Sequence, residues 1–202
     1  SYCGVNKKST ATIDPALYLE EFRKLRAAQP NETIAVDFFG GEPLMQMPIV
    51  RQIIDGISSD GNVTMFMSTN GLLLTQPIVD YLVSSGVELS LSFDGLWQDK
   101  NRLQFTGKGT RQRLLDKKEL ICSIPNLKIH SMISRGCYNL LENYIFIQEH
   151  FGINAELTIV RDVGTWDMFS VRKLNAGITE LIDWYIDNPN EDLPPFIKTY
   201  LT

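Results

Sequence analysis

Residues 34–45 read IAVDFFGGEPLM, and the fold turns on how this stretch divides. Ile34–Phe39 is a short apolar run containing β-branched residues, and Gly40, Gly41, Glu42 and Pro43 cut it off. That is the pattern of a strand that stops in a tight polar turn. The same reading repeats at Val63–Met67, Val87–Phe93, Leu127–Ile133 and Ala155–Val160, each run being short and bounded by Gly, Asn, Asp or Pro. Between these runs the apolar residues take helical spacing, at Asp14–Ala28, Pro48–Ile57, Gln76–Ser85, Arg111–Cys122 and Leu140–Phe151, with a sixth helical segment at Leu174–Asn188.

Start and stop signals support the helices. Asp14-Pro15 sets a capping carboxylate before a proline at the first helical position, Asn139 stands where it caps the fifth helix, and Gly86 and Gly152 close the third and fifth. Strand and helix alternate throughout, and the strands read as apolar on both faces, so an α/β fold with a mostly parallel sheet covered by helices is expected. Periodicity does not decide between a closed barrel and an open sheet. No internal repeat or linker divides the chain, so one domain over residues 1–202 is expected, with Asn188–Pro195 leaving it as a loop.

Bulk properties narrow the classes of function. The 202 residues are 44% hydrophobic and 21% charged, as in an ordinary globular protein. A net charge of −5 without a Lys/Arg-rich run gives no electrostatic footprint for nucleic acid. No stretch reaches the roughly 18 consecutive apolar residues of a membrane span, and SYCGVNKKST holds no apolar core of a secretory signal. A soluble, cytoplasmic protein without a membrane partner is expected. Three widely spaced cysteines, Cys3, Cys122 and Cys137, suit a reducing compartment better than a disulfide framework. The chain begins at Ser1 without an initiator Met, which reads as an N-terminal truncation.

In parallel α/β folds functional groups gather where strands end at their carboxyl side, since loops vary there without disturbing the sheet. Three successive runs end in small polar turns: Gly40-Gly41-Glu42-Pro43, Ser68-Thr69-Asn70-Gly71 and Ser92-Phe93-Asp94-Gly95. Glycines let a ligand approach the backbone closely, and Glu42, Asn70, Ser92 and Asp94 add hydrogen-bonding groups beside them. Any one of these is a common turn; three in register point to a pocket for a polar ligand. The polar stretch between Gly95 and Arg111 contributes Arg102, whose planar fork suits a carboxylate. Its GKGT tetrapeptide is not a phosphate loop, because the GxxxxGK[ST] frame is absent.

FFGGEPLM at Phe38–Met45, STNGLLL at Ser68–Leu74 and LSLSFDG at Leu89–Gly95 together resemble the motifs of radical S-adenosylmethionine enzymes. QDKNRLQFTGKGT at Gln98–Thr110 is similar to a segment of the family's peptide- and protein-modifying, SPASM-type branch, which includes the anaerobic sulfatase-maturing enzymes. The resemblance implies a partial (β/α)6 TIM-like barrel, truncated here at its N-terminus. It also implies a [4Fe–4S] cluster held by three cysteines of a CxxxCxxC loop, with Cys3 the third of them and the other two upstream of Ser1. An open iron of such a cluster chelates S-adenosyl-L-methionine, and an electron from an external donor cleaves the sulfonium to methionine and a 5′-deoxyadenosyl radical that abstracts hydrogen from substrate.

By the same resemblance Gly40, Gly41 and Glu42 line the site of the cofactor's amino group, largely through backbone oxygens, and Pro43 is counted with them as cofactor-binding. Ser92 meets the ribose and Arg102 the carboxylate, while Asn70 and Asp94 face the same pocket. Cys3 is the metal ligand; Cys122, Cys137, His130 and His150 are given no role, and no catalytic residue is assigned. The expected function is radical modification of a peptide or protein. The alternative is a degenerate, non-catalytic binding module that has lost its cluster. A nicotinamide-dependent enzyme would want GxGxxG after the first strand, which GGEP does not supply.

Overall fold

The structure is a computed structural model that describes residues 12–104, 106–160 and 166–189. Its elements alternate as strand and helix: α1 (Pro15–Ala28), β1 (Ile34–Phe38), α2 (Met47–Ile57), β2 (Val63–Thr69), α3 (Gln76–Ser84), β3 (Val87–Ser92), α4 (Gln98–Asn101), α5 (Arg111–Leu115), α6 (Lys118–Cys122), β4 (Lys128–Ile133), α7 (Leu140–Phe151), β5 (Glu156–Ile159) and α8 (Met168–Asp187). The strand order in the sheet is the chain order, β1-β2-β3-β4-β5. β1 pairs with β2, and β4 with β5, in parallel. The α/β reading with a mostly parallel sheet holds, as parallel neighbours joined by helical crossovers require. Every expected strand lies within two residues of its observed ends.

The described residues fall into two compact units, dividing inside β3. The first runs to Ser90 and includes Ile124–Asn126; the second takes Leu91–Ser123 and the chain from Leu127 onward. In the first, α1 starts as its sequence requires, with the Asp14 carboxylate accepting from the Ala16 amide at 2.9 Å. Its core joins Ile34, Val36 and Phe38 of β1, Met65 and Met67 of β2, and the buried stripe Val50, Ile53, Ile54 and Ile57 of α2. In the second, Phe93 meets the edge of Phe151 at 5.2 Å between ring centroids, and Tyr144 of α7 packs against Trp184 and Tyr185 of α8. Buried aromatic pairs of this kind add roughly 0.5–1.5 kcal/mol each beyond the area they bury.

Four expectations are corrected. The strands are not apolar on both faces: burial alternates along each, so that Ala35 and Asp37 of β1 are exposed and His130 and Met132 of β4 are half-buried. The segment Arg111–Cys122 is two short helices, because the backbone tightens at Lys117, whose amide bonds the Leu114 carbonyl three residues back at 3.0 Å. Arg113 and Lys117 are like charges one helical turn apart, which disfavours a continuous helix there; burial and then the Arg113 charge hold the Lys117 ammonium below the usual lysine range. α8 begins earlier than its apolar spacing suggests, since Asp167 caps it by accepting from the Ser170 amide at 2.8 Å. Asn139 precedes α7 without capping it through its side chain, which instead accepts from the Trp97 indole at 2.8 Å and donates to Glu142. Gly152 closes α7 in the left-handed conformation, as read from the sequence.

Candidate functional site

The turn after β1 is organised by one carboxylate. Glu42 stands at the start of the 3-10 turn Pro43–Gln46, and its Oε1 accepts from the Leu44 amide at 3.2 Å and the Thr69 hydroxyl at 2.7 Å. Its Oε2 accepts from the Asn70 amide at 2.8 Å. The turns that end β1 and β2 are therefore tied together by a charge-assisted brace, the stronger kind of hydrogen bond. Thr69 relays it by accepting from the Gly71 amide at 3.0 Å, and the Asn70 side chain accepts from the Leu72 amide at 3.0 Å. Asn70 thus shapes its own turn.

Beside the brace, Gly40 holds φ at +147°, a conformation that L side chains rarely adopt, and a Cβ added at Gly40 or Gly41 would meet no atom within 4 Å. Among the described residues the backbone here opens onto free space. This is a cradle that a ligand group can approach closely.

In the second unit the hub is Asp94, fully buried at 0% exposure. Its Oδ1 accepts from the Met132 amide of β4 at 2.8 Å, and its Oδ2 lies 2.9 Å from Nε of Arg102. The Asp94 amide donates to Gln98 Oε1 at 2.8 Å, and the Gln98 side chain donates to the Thr110 hydroxyl at 2.9 Å. Thr110 closes the ring by donating to the Arg102 carbonyl at 2.8 Å. Arg102 is consequently fixed at both its backbone and its Nε, and a guanidinium so anchored carries four further N–H donors at its far end in fork geometry.

The turn leaving Asp94 demands glycine. Gly95 has φ of +59°, and a Cβ there would sit 2.3 Å from Oδ1 of Asn143, the atom that accepts from the Leu96 amide at 2.7 Å. Farther along, Asn101 accepts from the Ser134 hydroxyl at 2.7 Å, and the buried Cys137 thiol lies 3.3 Å from that hydroxyl and 3.6 Å from the Lys100 ammonium. Cys122 is exposed in α6. No group of three or more His, Cys, Asp or Glu side chains suited to a metal occurs among the described residues, and Cys3 lies outside them.

The site residues read from the sequence thus resolve into two clusters. Gly40, Gly41, Glu42, Pro43 and Asn70 belong to the first unit; Ser92, Asp94 and Arg102 belong to the second. The Glu42 carboxylate is spent on the turns after β1 and β2, and that of Asp94 on the β4 backbone and Arg102, so both are braces. Sequence reasoning missed Thr69, Gln98 and Thr110, whose roles depend on bonds between residues up to 27 apart in the chain. Each cluster has its own chemistry: in the first unit the open glycine turn suits a donor such as an ammonium, and in the second a positioned guanidinium suits a carboxylate.

Comparison with known proteins bears on the same residues. The model of the Radical SAM superfamily matches residues 1–124. The radical SAM cyclopropyl synthase TigE of Paramaledivibacter caminithermalis is 23% identical over 91% of this chain and 40% of its own length. The GTP 3′,8-cyclase of Geobacter sulfurreducens is 34% identical over 67% of this chain and 43% of its own. The chain therefore spans about two fifths of the curated relatives it matches. Among solved structures, native anSMEcpe with bound AdoMet superposes with a TM-score of 0.80 at 17% identity, over 98% of this chain and 60% of that one. The same protein with bound AdoMet and a Cp18Cys peptide gives 0.76 at 19% identity, over 94% and 56%. These likenesses carry the fold, and with it the partial barrel of the sequence reading. No described helix is long and apolar enough to cross a membrane.

Proposed function

The chain belongs to the Radical SAM superfamily, and on that premise we propose that it is the cofactor-binding core of an enzyme that uses S-adenosyl-L-methionine and a [4Fe–4S] cluster to modify a peptide or protein by hydrogen abstraction. Bound together, that cluster and S-adenosyl-L-methionine supply, with one electron from an external donor, the cleavage of the sulfonium to methionine and a 5′-deoxyadenosyl radical. The reading takes residues 1–202 as one core domain, and Cys3 as one of the three thiolates that hold the cluster.

The protein's part is binding and orientation. Gly40, Gly41 and Pro43 offer backbone carbonyls to the ammonium of the methionine moiety, while Glu42 keeps that turn in shape. Arg102, steadied by Asp94, meets the carboxylate with its fork. Ser92, at the end of β3, donates to a ribose hydroxyl, and Asn70 holds the turn after β2. The observation that carries this reading is the cradle at Gly40 and Gly41 beside the Glu42 brace, since an open glycine backbone held by a dedicated carboxylate serves a ligand better than it serves stability. A peptide or protein substrate is favoured because anSMEcpe, whose fold this chain shares, was captured with a peptide.

The test is anaerobic reconstitution of the natural protein that contains this chain, with iron and sulfide analysis and an assay for 5′-deoxyadenosine under dithionite. About four irons with reductive cleavage support the reading. A folded protein with neither cluster nor cleavage replaces it with the non-catalytic binding module.

A further inference from the structure

Parallel sheets occur almost only with both faces covered, yet in the second unit one face of β4 and β5 is left half open among the described residues. On the covered face Ile129, Ser131 and Ile133 of β4 have no exposure. On the other face stand His130 and Met132 of β4 with Glu156 and Thr158 of β5. His130 and Glu156 are register partners, with Nε2 of the imidazole 3.3 Å from Oε2 of the carboxylate, and their side chains keep 39% and 34% of their exposure. The Phe93 amide donates to the His130 carbonyl at 3.0 Å, so the histidine lies alongside the Ser92–Phe93 step. Ser92, half-buried on the alternate face from Phe93, therefore heads a polar row that continues through His130 to Glu156.

We propose that His130 and Glu156 form a substrate-positioning pair, which takes a basic side chain of a peptide substrate beside the residue that meets the ribose. This rests on the proposed function, since Ser92 marks the ribose only under that reading. Glu156 is acceptor-only when ionised and has room for roughly four donors, of which the imidazole supplies one, so the group that completes it is a donor, and a cationic one matches its charge best. His130 turns the carboxylate and fixes its free edge. As a cross-strand pair alone the two residues would contribute no more than about 1 kcal/mol to the sheet, and such a pair does not need an uncovered face in the middle of a parallel strand. The flanking Ser92, Met132 and Thr158 are small or flexible, which leaves room for an extended segment along the row.

The experiment is affinity selection of an mRNA-displayed random peptide library on the full natural protein and on its Glu156→Gln, Glu156→Asp and His130→Gln variants, with thermal midpoints measured alongside. The wild type is expected to enrich Lys or Arg at one fixed position. That enrichment should fall at least tenfold in Glu156→Gln and severalfold in His130→Gln, and return in part in Glu156→Asp, while midpoints stay within about 2 °C. Unchanged enrichment in both the Gln variants overturns the pair and leaves the proposed function standing. Loss of enrichment in step with a large fall in midpoint also overturns it, because the pair would then be a stabilising contact. A wild type that enriches no peptide overturns the peptide reading and the pair with it.

Discussion

The turns that end β1 and β2 and the turn that ends β3 both depend on a carboxylate, but they use it differently. Glu42 is half-buried and ties two turns together through two amides and a hydroxyl. Asp94 is wholly buried and spends its charge on one amide and one guanidinium. A partly exposed brace leaves its neighbours, Gly40 and Gly41, open to a ligand; a buried one aims another side chain, Arg102, from a fixed point. The acid of each motif is thus a support, and the proposed function assigns ligand contact to the backbone in one region and to a cation in the other.

Breaking the buried support should cost most. Asp94→Ala leaves the Arg102 Nε without its carboxylate and the Met132 amide without its acceptor, and is expected to lower the unfolding free energy by roughly 3 kcal/mol in urea titration. Gly95→Ala, which forces a strained φ and a clash with Asn143, is expected to cost about 2 kcal/mol in the same measurement. Glu42→Ala sits lower, at about 1–2 kcal/mol, since the Glu42 carboxylate is only half-buried and its charge is already partly solvated; Glu42→Gln should recover part of that loss. A Glu42→Ala cost as large as that of Asp94→Ala would erase the distinction between the two regions.

The smallest effect lies away from both regions. Arg26 donates to Asp60 at 2.6 Å and, with the Asn62 amide, holds that carboxyl below its ordinary value of 3.8. A lowered folded value means that the folded chain binds the proton more weakly. The stabilisation is therefore fully present above the unfolded value and lost as pH falls through the folded one. Acid titration of thermal midpoints below about pH 4 should be shallower in Arg26→Ala.

Much of this was legible in the sequence. Strand runs bounded by Gly, Asn and Asp, the Asp14-Pro15 start and the Gly152 stop are local signals, and each appears in the structure where the chain spells it. The candidate residues Gly40, Gly41, Glu42, Asn70, Ser92 and Asp94 stood out for the same reason, each lying within a few residues of a strand end, whereas Arg102 lies at the end of α4. What sequence could not give was long-range. The Asp94–Met132 bond joins the turn after β3 to β4, and the Glu42–Thr69 bond joins residues 27 apart. Period-2 burial was hidden because Phe66, Met132 and other apolar residues occupy the less buried face. The start of α8 was hidden because Met168 and Phe169, its first residues, are exposed at 69% and 66% and break the apolar period that begins at Leu174.

The division between supports and ligand contacts is tested most directly by anaerobic calorimetric titration of S-adenosyl-L-methionine into the reconstituted natural protein, its Ser92→Ala variant and its Arg102→Lys variant. Each lost hydrogen bond to the ligand should weaken binding about tenfold, with 1–2 kcal/mol as the corresponding range, and Ser92→Ala should leave the thermal midpoint where it was. Affinities equal to wild type in both variants would contradict the assignment of these residues to the cofactor.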